Sequence, residues 1–138
     1  MQIADVMTRN VTMVSPDASL VVAAEAMAER DAGALPVGEG DELVGMITDR
    51  DITVRGVATG KPVERMLVRE AMTPQVLYCF EDQDCDEVAN NMAEVQACRL
   101  PVLNREKRLV GIVSLGDFAR HTPEAAKTAE TGVAAPAA

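Results

Sequence analysis

The chain has 138 residues, which is enough for one domain of ordinary size or two very small ones. Its net charge of −9 argues against nucleic acid and anionic membrane surfaces as partners, because binding phosphate groups needs an excess of lysine and arginine. No apolar run approaches the ~20 residues that span a bilayer, and no signal peptide is visible at the N-terminus. The odd number of cysteines, Cys79, Cys85 and Cys98, shows no disulfide pattern. We therefore expect a cytoplasmic protein.

Hydrophobic periodicity predicts a first group of elements. In chain order these are a short strand at residues 11–14, a helix at about residues 19–31, strands at residues 35–37 and 43–48, and a helix from Thr48 or Asp49 to about Gly56. The apolar face of the first helix is marked by residues at three- and four-residue spacing, namely Leu20, Ala23, Ala24 and Met27. Residues 56–62 then form a loop that leads to the second half of the chain.

The second half repeats the first. Met7-Thr8 returns as Met72-Thr73 after 65 residues, and the segments at 43–48 and 109–114 match at an offset of 66. The predicted elements of the second copy are a strand at residues 77–80, a helix at 84–96, strands at 99–103 and 109–114, and a helix at 115–120. The sequence therefore predicts an α/β (α+β) fold of two tandem β-α-β-β-α repeats with pseudo-two-fold symmetry, a first domain at residues 1–60 and a second at residues 61–121.

Residues 122–138 differ in composition from the repeats. They are rich in alanine, threonine, glutamate and proline, and their one large apolar residue is Val133. Such a segment has little apolar surface to offset the entropy lost on ordering. We therefore expect a mostly disordered tail whose removal leaves the melting temperature nearly unchanged.

Each repeat carries a hydroxyl residue three positions before an aspartate, Thr48 with Asp51 and Ser114 with Asp117. An ionised aspartate can accept hydrogen bonds at both oxygens and so hold the two hydroxyls of a ribose. The hydroxyl residue, with free N–H groups at a helix start, suits a phosphate. The same pattern is also that of a helix N-cap followed by an acidic first turn. Both interpretations remain open, and they are compatible with each other.

Taken together, these features resemble the CBS domain. The chain to about residue 120 is similar to a stand-alone pair of such domains, a Bateman module. The matching segments are Gly45-Met46-Ile47-Thr48-Asp49-Arg50-Asp51, Gly111-Ile112-Val113-Ser114-Leu115-Gly116-Asp117, Ala34-Leu35-Pro36-Val37, Arg99-Leu100-Pro101-Val102 and the Met-Thr segments at 5–8 and 70–73. The ending Ala119-Arg120-His121 is similar to that of a bacterial hypoxic-response subgroup of the family.

The resemblance implies a regulatory module without catalysis. Its ligand would be an adenine nucleotide, AMP, ADP, ATP or NAD, and no cofactor would be required. It also implies a homodimer, for which apolar helix faces around Leu20-Val21-Val22 and Val88 give local support. The module would act on a regulated protein partner that the sequence does not identify. Nucleic acid and membranes would not be partners.

The resemblance further implies that each ligand site joins residues of both repeats. The first site would comprise Thr48, Arg50, Asp51, Met72, Cys98 and Arg99. The second would comprise Met7, Thr12, Gly33, Ala34, Ser114 and Asp117. The two arginines of the first site suit a phosphorylated ligand, whereas the second has nothing basic except Arg120 or His121. Surface pairing of Arg50 with Asp49, or of Arg99 with Glu94, is the alternative for these arginines.

Two other classes of function compete with this one. The sequence shows no nucleophile–base pair, metal cluster or glycine-rich phosphate loop with a lysine, so an enzyme is not expected. A stress- or redox-linked interaction protein that has the same fold but binds no nucleotide is the alternative function. The cysteines lack paired metal spacing, so we expect no metal and three buried structural thiols. His121 is expected to interact with the negative end of a helix dipole.

Overall fold

The computed structural model describes residues 1–74 and 77–134. In chain order its helices are α1 Ile3–Val6, α2 Leu20–Arg30, α3 Asp49–Asp51, α4 Val68–Ala71, α5 Cys85–Val95, α6 Leu115–His121 and α7 Pro123–Ala134. Its strands are β1 Ala34–Glu39, β2 Glu42–Thr48, β3 Cys79–Phe80, β4 Arg99–Leu103 and β5 Leu109–Ser114. A π-helix, Ile52–Gly56, continues α3, and two short 3-10 helices follow at Val57–Thr59 and Val63–Arg65. The protein therefore has an α+β fold.

The chain divides into two compact units, which we call unit I and unit II. Unit I is Met1–Asn10 together with Leu77–Ala138, and unit II is Val11–Val76. Each unit thus contains the hairpin of one repeat and the Met-Thr segment of the other. Residues 1–60 and 61–121 remain our prediction for the domain limits along the sequence.

Unit II is built on the antiparallel hairpin β1–β2, in which Ala34 pairs with Thr48. Helix α2 begins at the N-cap Ser19, whose side chain accepts a hydrogen bond from the Val22 N–H at 3.2 Å. Three of the four residues of its predicted apolar stripe are buried, and Ala24 is exposed. The core of this unit comprises Val14, Leu20, Ala23, Met27, Leu35, Val37, Ile47, Met66, Val68 and Ala71.

Unit I has a three-stranded sheet in the order β3-β4-β5. Strand β3 runs parallel to β4, and β4 pairs antiparallel with β5 so that Arg99 lies opposite Ser114. One face of this unit's core is formed by α5, where Val88, Ala89 and Met92 are fully buried. The buried Val88 corrects the expectation that this residue belongs to an exposed apolar face.

Two predicted strands are shorter in the structure. Residues 11–14 form no strand, and Val14 alone bridges to Val37. The strand predicted at 77–80 is limited to Cys79 and Phe80, while Leu77 and Tyr78 lie outside it and are exposed. In both cases the β-branched and aromatic composition is typical of strands, but only the last residues have a neighbouring strand to pair with.

The expected disorder of residues 122–138 is wrong for residues 123–134, which form α7. Ala125, Ala126 and Ala129 are buried and belong to the core of unit I. Their one- and four-residue spacing places them on one face, and α7 packs against α5 and α6. Alanine has the highest helix propensity, and its small side chain lets two helices approach closely. Residues 135–138 lie outside the described residues.

Candidate functional site

In unit II the hydroxyl and the aspartate of the motif close the first turn of α3. Thr48 Oγ1 accepts a hydrogen bond from the Asp51 N–H at 3.0 Å, and the Thr48 N–H donates to Asp51 Oδ2 at 3.0 Å. The N-cap interpretation is therefore confirmed for this motif. Asp51 is half-buried, and its Oδ1 accepts no hydrogen bond from a described residue. One oxygen of this carboxylate is thus open to a donor from outside the unit.

In unit I the same motif caps α6, but both oxygens of its carboxylate accept hydrogen bonds. Ser114 Oγ accepts from the Asp117 N–H at 3.3 Å, while the Ser114 N–H and Oγ–H donate to Asp117 Oδ2 at 2.9 Å and 3.1 Å. The remaining oxygen, Asp117 Oδ1, accepts a hydrogen bond from the guanidinium of Arg120. The side chain of Asp117 is 3% exposed and that of Arg120 is 64% exposed. A buried charge is therefore neutralised by a surface arginine one turn away.

Gly45 in unit II and Gly111 in unit I, which we call the signature glycines, allow the Met-Thr segments to lie close against the strands that lead to the motifs. In unit II, Met46 and Thr73 exchange backbone hydrogen bonds at 3.0 Å and 2.9 Å. A Cβ atom on Gly45 would lie 2.7 Å from the Thr73 carbonyl oxygen and 2.9 Å from the Met72 sulfur. The signature glycine is therefore required here for close backbone approach, and it places Met72 beside the strand that ends at Thr48.

Unit I repeats this arrangement with Met7 and Thr8. Thr8 and Ile112 exchange backbone hydrogen bonds at 2.8 Å and 3.0 Å, and a Cβ atom on Gly111 would lie 2.7 Å from the Thr8 carbonyl oxygen. Met7 is 8% exposed. Each unit thus brings one methionine of the predicted sites to the strand that carries its motif.

The first residues of β1 and β4 also lie next to the motifs. Asp49 donates its backbone N–H to the Gly33 carbonyl at 3.0 Å, and Ala34 pairs with Thr48. In unit I the Leu115 N–H donates to the Cys98 carbonyl at 3.1 Å, and Arg99 pairs with Ser114. The structure therefore places Gly33 and Ala34 beside Thr48, and Cys98 and Arg99 beside Ser114. The combinations across repeats that the resemblance implies remain a prediction.

Thr12 stands apart from these contacts. It lies in the irregular segment before Val14, is half-buried, and makes no hydrogen bond with any residue in the described ranges. Its proposed part in the second site rests on the resemblance alone.

The two arginines of the first predicted site are exposed. Neither the Arg50 nor the Arg99 guanidinium makes an ion pair or hydrogen bond with a residue in the described part of the chain. The alternative pairings with Asp49 and Glu94 are therefore wrong. A surface depression of about 310 Å³ borders α3 and is lined by Asp49, Arg50, Thr53 and Val54. The guanidinium of Arg50 is thus free to meet an anion.

A second cavity, of about 530 Å³, lies in unit I and has a different chemistry. Its lining includes three carboxylates, those of Asp84, Asp86 and Glu124, and the Met1 amine pairs with Asp84 at 3.5 Å. Three negative side chains repel a phosphate, so this cavity does not suit a nucleotide.

The cysteines divide into two kinds. Cys79 and Cys85 are buried, and burial raises the pKa of the Cys79 thiol to about 12 and raises the pKa of Cys85. Both are therefore protonated and unreactive at neutral pH. Cys98 is exposed, which corrects the expectation that all three thiols are buried. His121 lies in the last turn of α6, where a cation interacts favourably with the dipole.

Within the described residues, no group of three or more histidine, cysteine, aspartate or glutamate side chains is arranged to hold a metal ion. A search of the same residues finds no helix with the length and apolar character needed to cross a bilayer.

Comparison with known proteins identifies the class of protein that this fold and this repeated motif define. The CBS domain family model matches residues 3–56 and 68–124, and the chain belongs to the CBS domain family. Hypoxic response protein 1 of Mycobacterium tuberculosis is 42% identical over 121 residues, which cover 87% of this chain and 84% of that protein. The chain is thus similar to a stand-alone CBS pair, as its ending suggested.

Solved structures show the same likeness. The crystal structure of Hypoxic Response Protein I with two coordinated zinc ions matches with a TM-score of 0.80 and 40% identity, and covers 89% of this chain and 100% of its own. CBSX2 in complex with AMP matches with a TM-score of 0.78 and 26% identity, and the match covers 89% of this chain and 96% of that chain. The CBS domain pair of MJ0100 in complex with methylthioadenosine and S-adenosyl-L-methionine matches with a TM-score of 0.77 and 28% identity. The match covers 87% of this chain and 98% of that chain.

Proposed function

We propose that this chain is a regulatory module, without catalysis, that binds an adenine nucleotide through Thr48 and Asp51. The observation that carries the proposal is the open oxygen of Asp51, held in place by a cap that uses only the other oxygen. Two structural neighbours are complexes with AMP or with adenosyl compounds, which supports an adenosine-containing ligand.

The geometry of unit II suits the two halves of a nucleotide. Asp51 Oδ1 would accept one ribose hydroxyl, and the remaining lone pair of Oδ2 would accept the other. The Thr48 hydroxyl accepts from the Asp51 N–H but donates to no described residue, so its proton is available to the ligand. The exposed Arg50 guanidinium would pair with a phosphate.

The other residues of the predicted sites stay part of the proposal. Met72, Cys98 and Arg99 complete the first set with Thr48, Arg50 and Asp51. The second set that the resemblance implies comprises Met7, Thr12, Gly33, Ala34, Ser114 and Asp117. AMP, ADP, ATP and NAD all carry the adenosine group that the first set would recognise.

Calorimetric titration of the ligand-stripped protein with AMP, ATP and NAD tests this function. Asp51→Ala removes hydrogen bonds to an ionised group, each contributing about 1.5–3 kcal/mol, so binding should weaken tenfold or more. Asp51→Asn is the matched variant, because its side-chain oxygen can still accept from the Thr48 N–H and preserve the cap. We expect weak binding and a nearly unchanged melting temperature for Asp51→Asn.

The opposite result would assign Asp51 to the cap alone. In that case Asp51→Ala costs about 0.3–1 kcal/mol of stability through the lost acid in the first turn, and all three ligands bind both variants as strongly as they bind the unmodified protein. Absence of binding to the unmodified protein would contradict the nucleotide-binding function itself.

A stress- or redox-linked interaction protein that binds no nucleotide is the second candidate. It is favoured by the exposed Cys98 and by the likeness to a protein named for the hypoxic response. Adenine absorbance that stays with the purified protein would support nucleotide binding. A purified protein without such absorbance that also fails the titration would support the interaction function.

We also propose a cytoplasmic homodimer with no nucleic-acid or membrane partner. Support for the dimer lies in unit II, where α2 packs on the π-helix and Val22, Val54 and Val57 are 48%, 49% and 58% exposed. Exposed apolar side chains on adjacent elements are typical of surfaces that a second protein covers.

A further inference from the structure

The two motifs differ in how many hydrogen bonds their carboxylates can still accept. An ionised carboxylate offers about four lone-pair positions. In unit II a single bond, from the Thr48 N–H, occupies Asp51, so about three positions stay open. In unit I two bonds from Ser114 fill Asp117 Oδ2, and Arg120 occupies Oδ1. A ribose needs two acceptor positions, and Asp117 offers about one.

The residue that makes this difference stands at one position of the repeat. Arg120 follows Asp117 by three residues, and Val54 follows Asp51 by the same number. Three residues is about one helical turn, so a long side chain at this position reaches back to the aspartate. Arginine does so in unit I, whereas Val54 has no donor and is 49% exposed.

Burial makes the contact in unit I hard to displace. The Asp117 side chain is 3% exposed, so a ligand hydroxyl that replaced Arg120 would have to compensate a buried negative charge with a neutral donor. A guanidinium is the stronger donor to a carboxylate, because both partners carry full charge.

We infer that the ion pair between Arg120 and Asp117, which we call the lock, prevents ribose from binding at the Ser114–Asp117 site. The chain therefore binds one adenosyl ligand, at Asp51, and not two. The inference rests on the proposed function, because it takes Asp51 as the ribose-binding carboxylate. Arg120 is then a specificity-determining residue that makes two repeats with the same signature unequal.

Calorimetric titration with AMP of the unmodified protein, three variants and a matched control tests the lock. The unmodified protein should bind one AMP per chain and Asp51→Ala none. Arg120→Val, which copies the residue of unit II, should bind two, with at least a tenfold gain in affinity at the newly opened site. The double variant should bind one. Arg108→Val is the matched control, because it removes an exposed arginine of the same unit whose guanidinium makes no hydrogen bond or ion pair with a described residue.

The outcomes separate the two claims. Two AMP molecules per unmodified chain would overturn the lock, and this measurement needs no variant to fold. Equal binding by Arg120→Val and the unmodified protein would also overturn it. If the unmodified protein binds none and Arg120→Val binds one, the lock is supported and the proposed role of Asp51 fails. If neither binds, both fail. A contribution of Arg120 to stability alone would change the melting temperature but not the stoichiometry.

Discussion

Helix α3 of unit II and helix α6 of unit I begin with the same capping box and then diverge. In unit I, α6 continues as a regular helix for seven residues, Leu115–His121, and α7 packs against it. In unit II, α3 covers three residues before the backbone changes to the π-helix Ile52–Gly56. The cap fixes the position of the carboxylate in both units, and the residues after it decide whether that carboxylate is free.

The difference in helix geometry has a local cause in unit II. Thr53 Oγ1 donates to the Asp49 carbonyl at 3.1 Å, which competes with the regular helical bond. Gly56 approaches α2 so closely that a Cβ atom would lie 2.7 Å from Leu20 Cδ1. In unit I, Phe118 of α6 is fully buried and α7 packs against the helix. Packing therefore shapes the two copies of one signature differently.

Removal of α7 should have the largest effect on this comparison, and it should affect only unit I. Deleting the residues after Thr122 removes three buried alanines and exposes the faces of α5 and α6 that they cover, which we expect to lower the free energy of unfolding by on the order of 3 kcal/mol. Hydrogen exchange should become faster in α5 and stay unchanged in the hairpin β1–β2. An unaltered melting temperature would show that α7 is not part of the core.

A pair of point variants controls for the loss of chain length. Ala129→Glu places a charge at a fully buried position of α7, while Thr128→Glu places the same charge one residue earlier at an exposed position. Only Ala129→Glu should reproduce the destabilisation.

The signature glycines should give the next largest effect, and here the two units should agree. An added methyl at Gly45 or Gly111 would lie 2.7 Å from a backbone carbonyl oxygen, so Gly45→Ala and Gly111→Ala should each cost about 1–3 kcal/mol in chemical denaturation. Gly116→Ala is the control, because its nearest neighbours would be side-chain atoms at 3.4 Å and 3.6 Å. Equal stability of all three variants would mean that the Met-Thr segments do not hold these positions.

The sequence predicted the elements that surround the motif. Strand β5 was predicted with its observed limits, and β2 and α2 were each predicted to within one residue at either end. The Thr48–Asp51 and Ser114–Asp117 spacing predicted the caps because hydroxyl and carboxylate groups three residues apart satisfy each other's N–H groups. These features depend on local chemistry, which the sequence displays directly.

What the sequence could not predict depends on contacts between distant segments. Ala125, Ala126 and Ala129 indicate a helix only once α5 and α6 provide a surface to pack on. The sequence presents Arg120 as one of two basic residues that could meet a phosphate, because its spacing from Asp117 does not tell whether that carboxylate is buried and in need of a cation. The exposure of Cys98 and the burial of Val88 likewise follow from packing.

The smallest expected effect comes from placing an arginine at the position of unit II that corresponds to Arg120. Val54→Arg puts an arginine three residues after Asp51 at a half-exposed position, so the side chain can be accommodated without disturbing the core. If spacing alone creates the lock, the guanidinium will occupy Asp51 Oδ1 and weaken AMP binding about tenfold, or about 1.4 kcal/mol, in the same titration. Val54→Lys is the control, because a lysine adds the same charge as a point charge without the planar fork that suits a carboxylate. Full affinity in Val54→Arg would show that spacing is insufficient. The regular turn of α6, which the π-helix of unit II lacks, would then be the element that directs Arg120 onto Asp117.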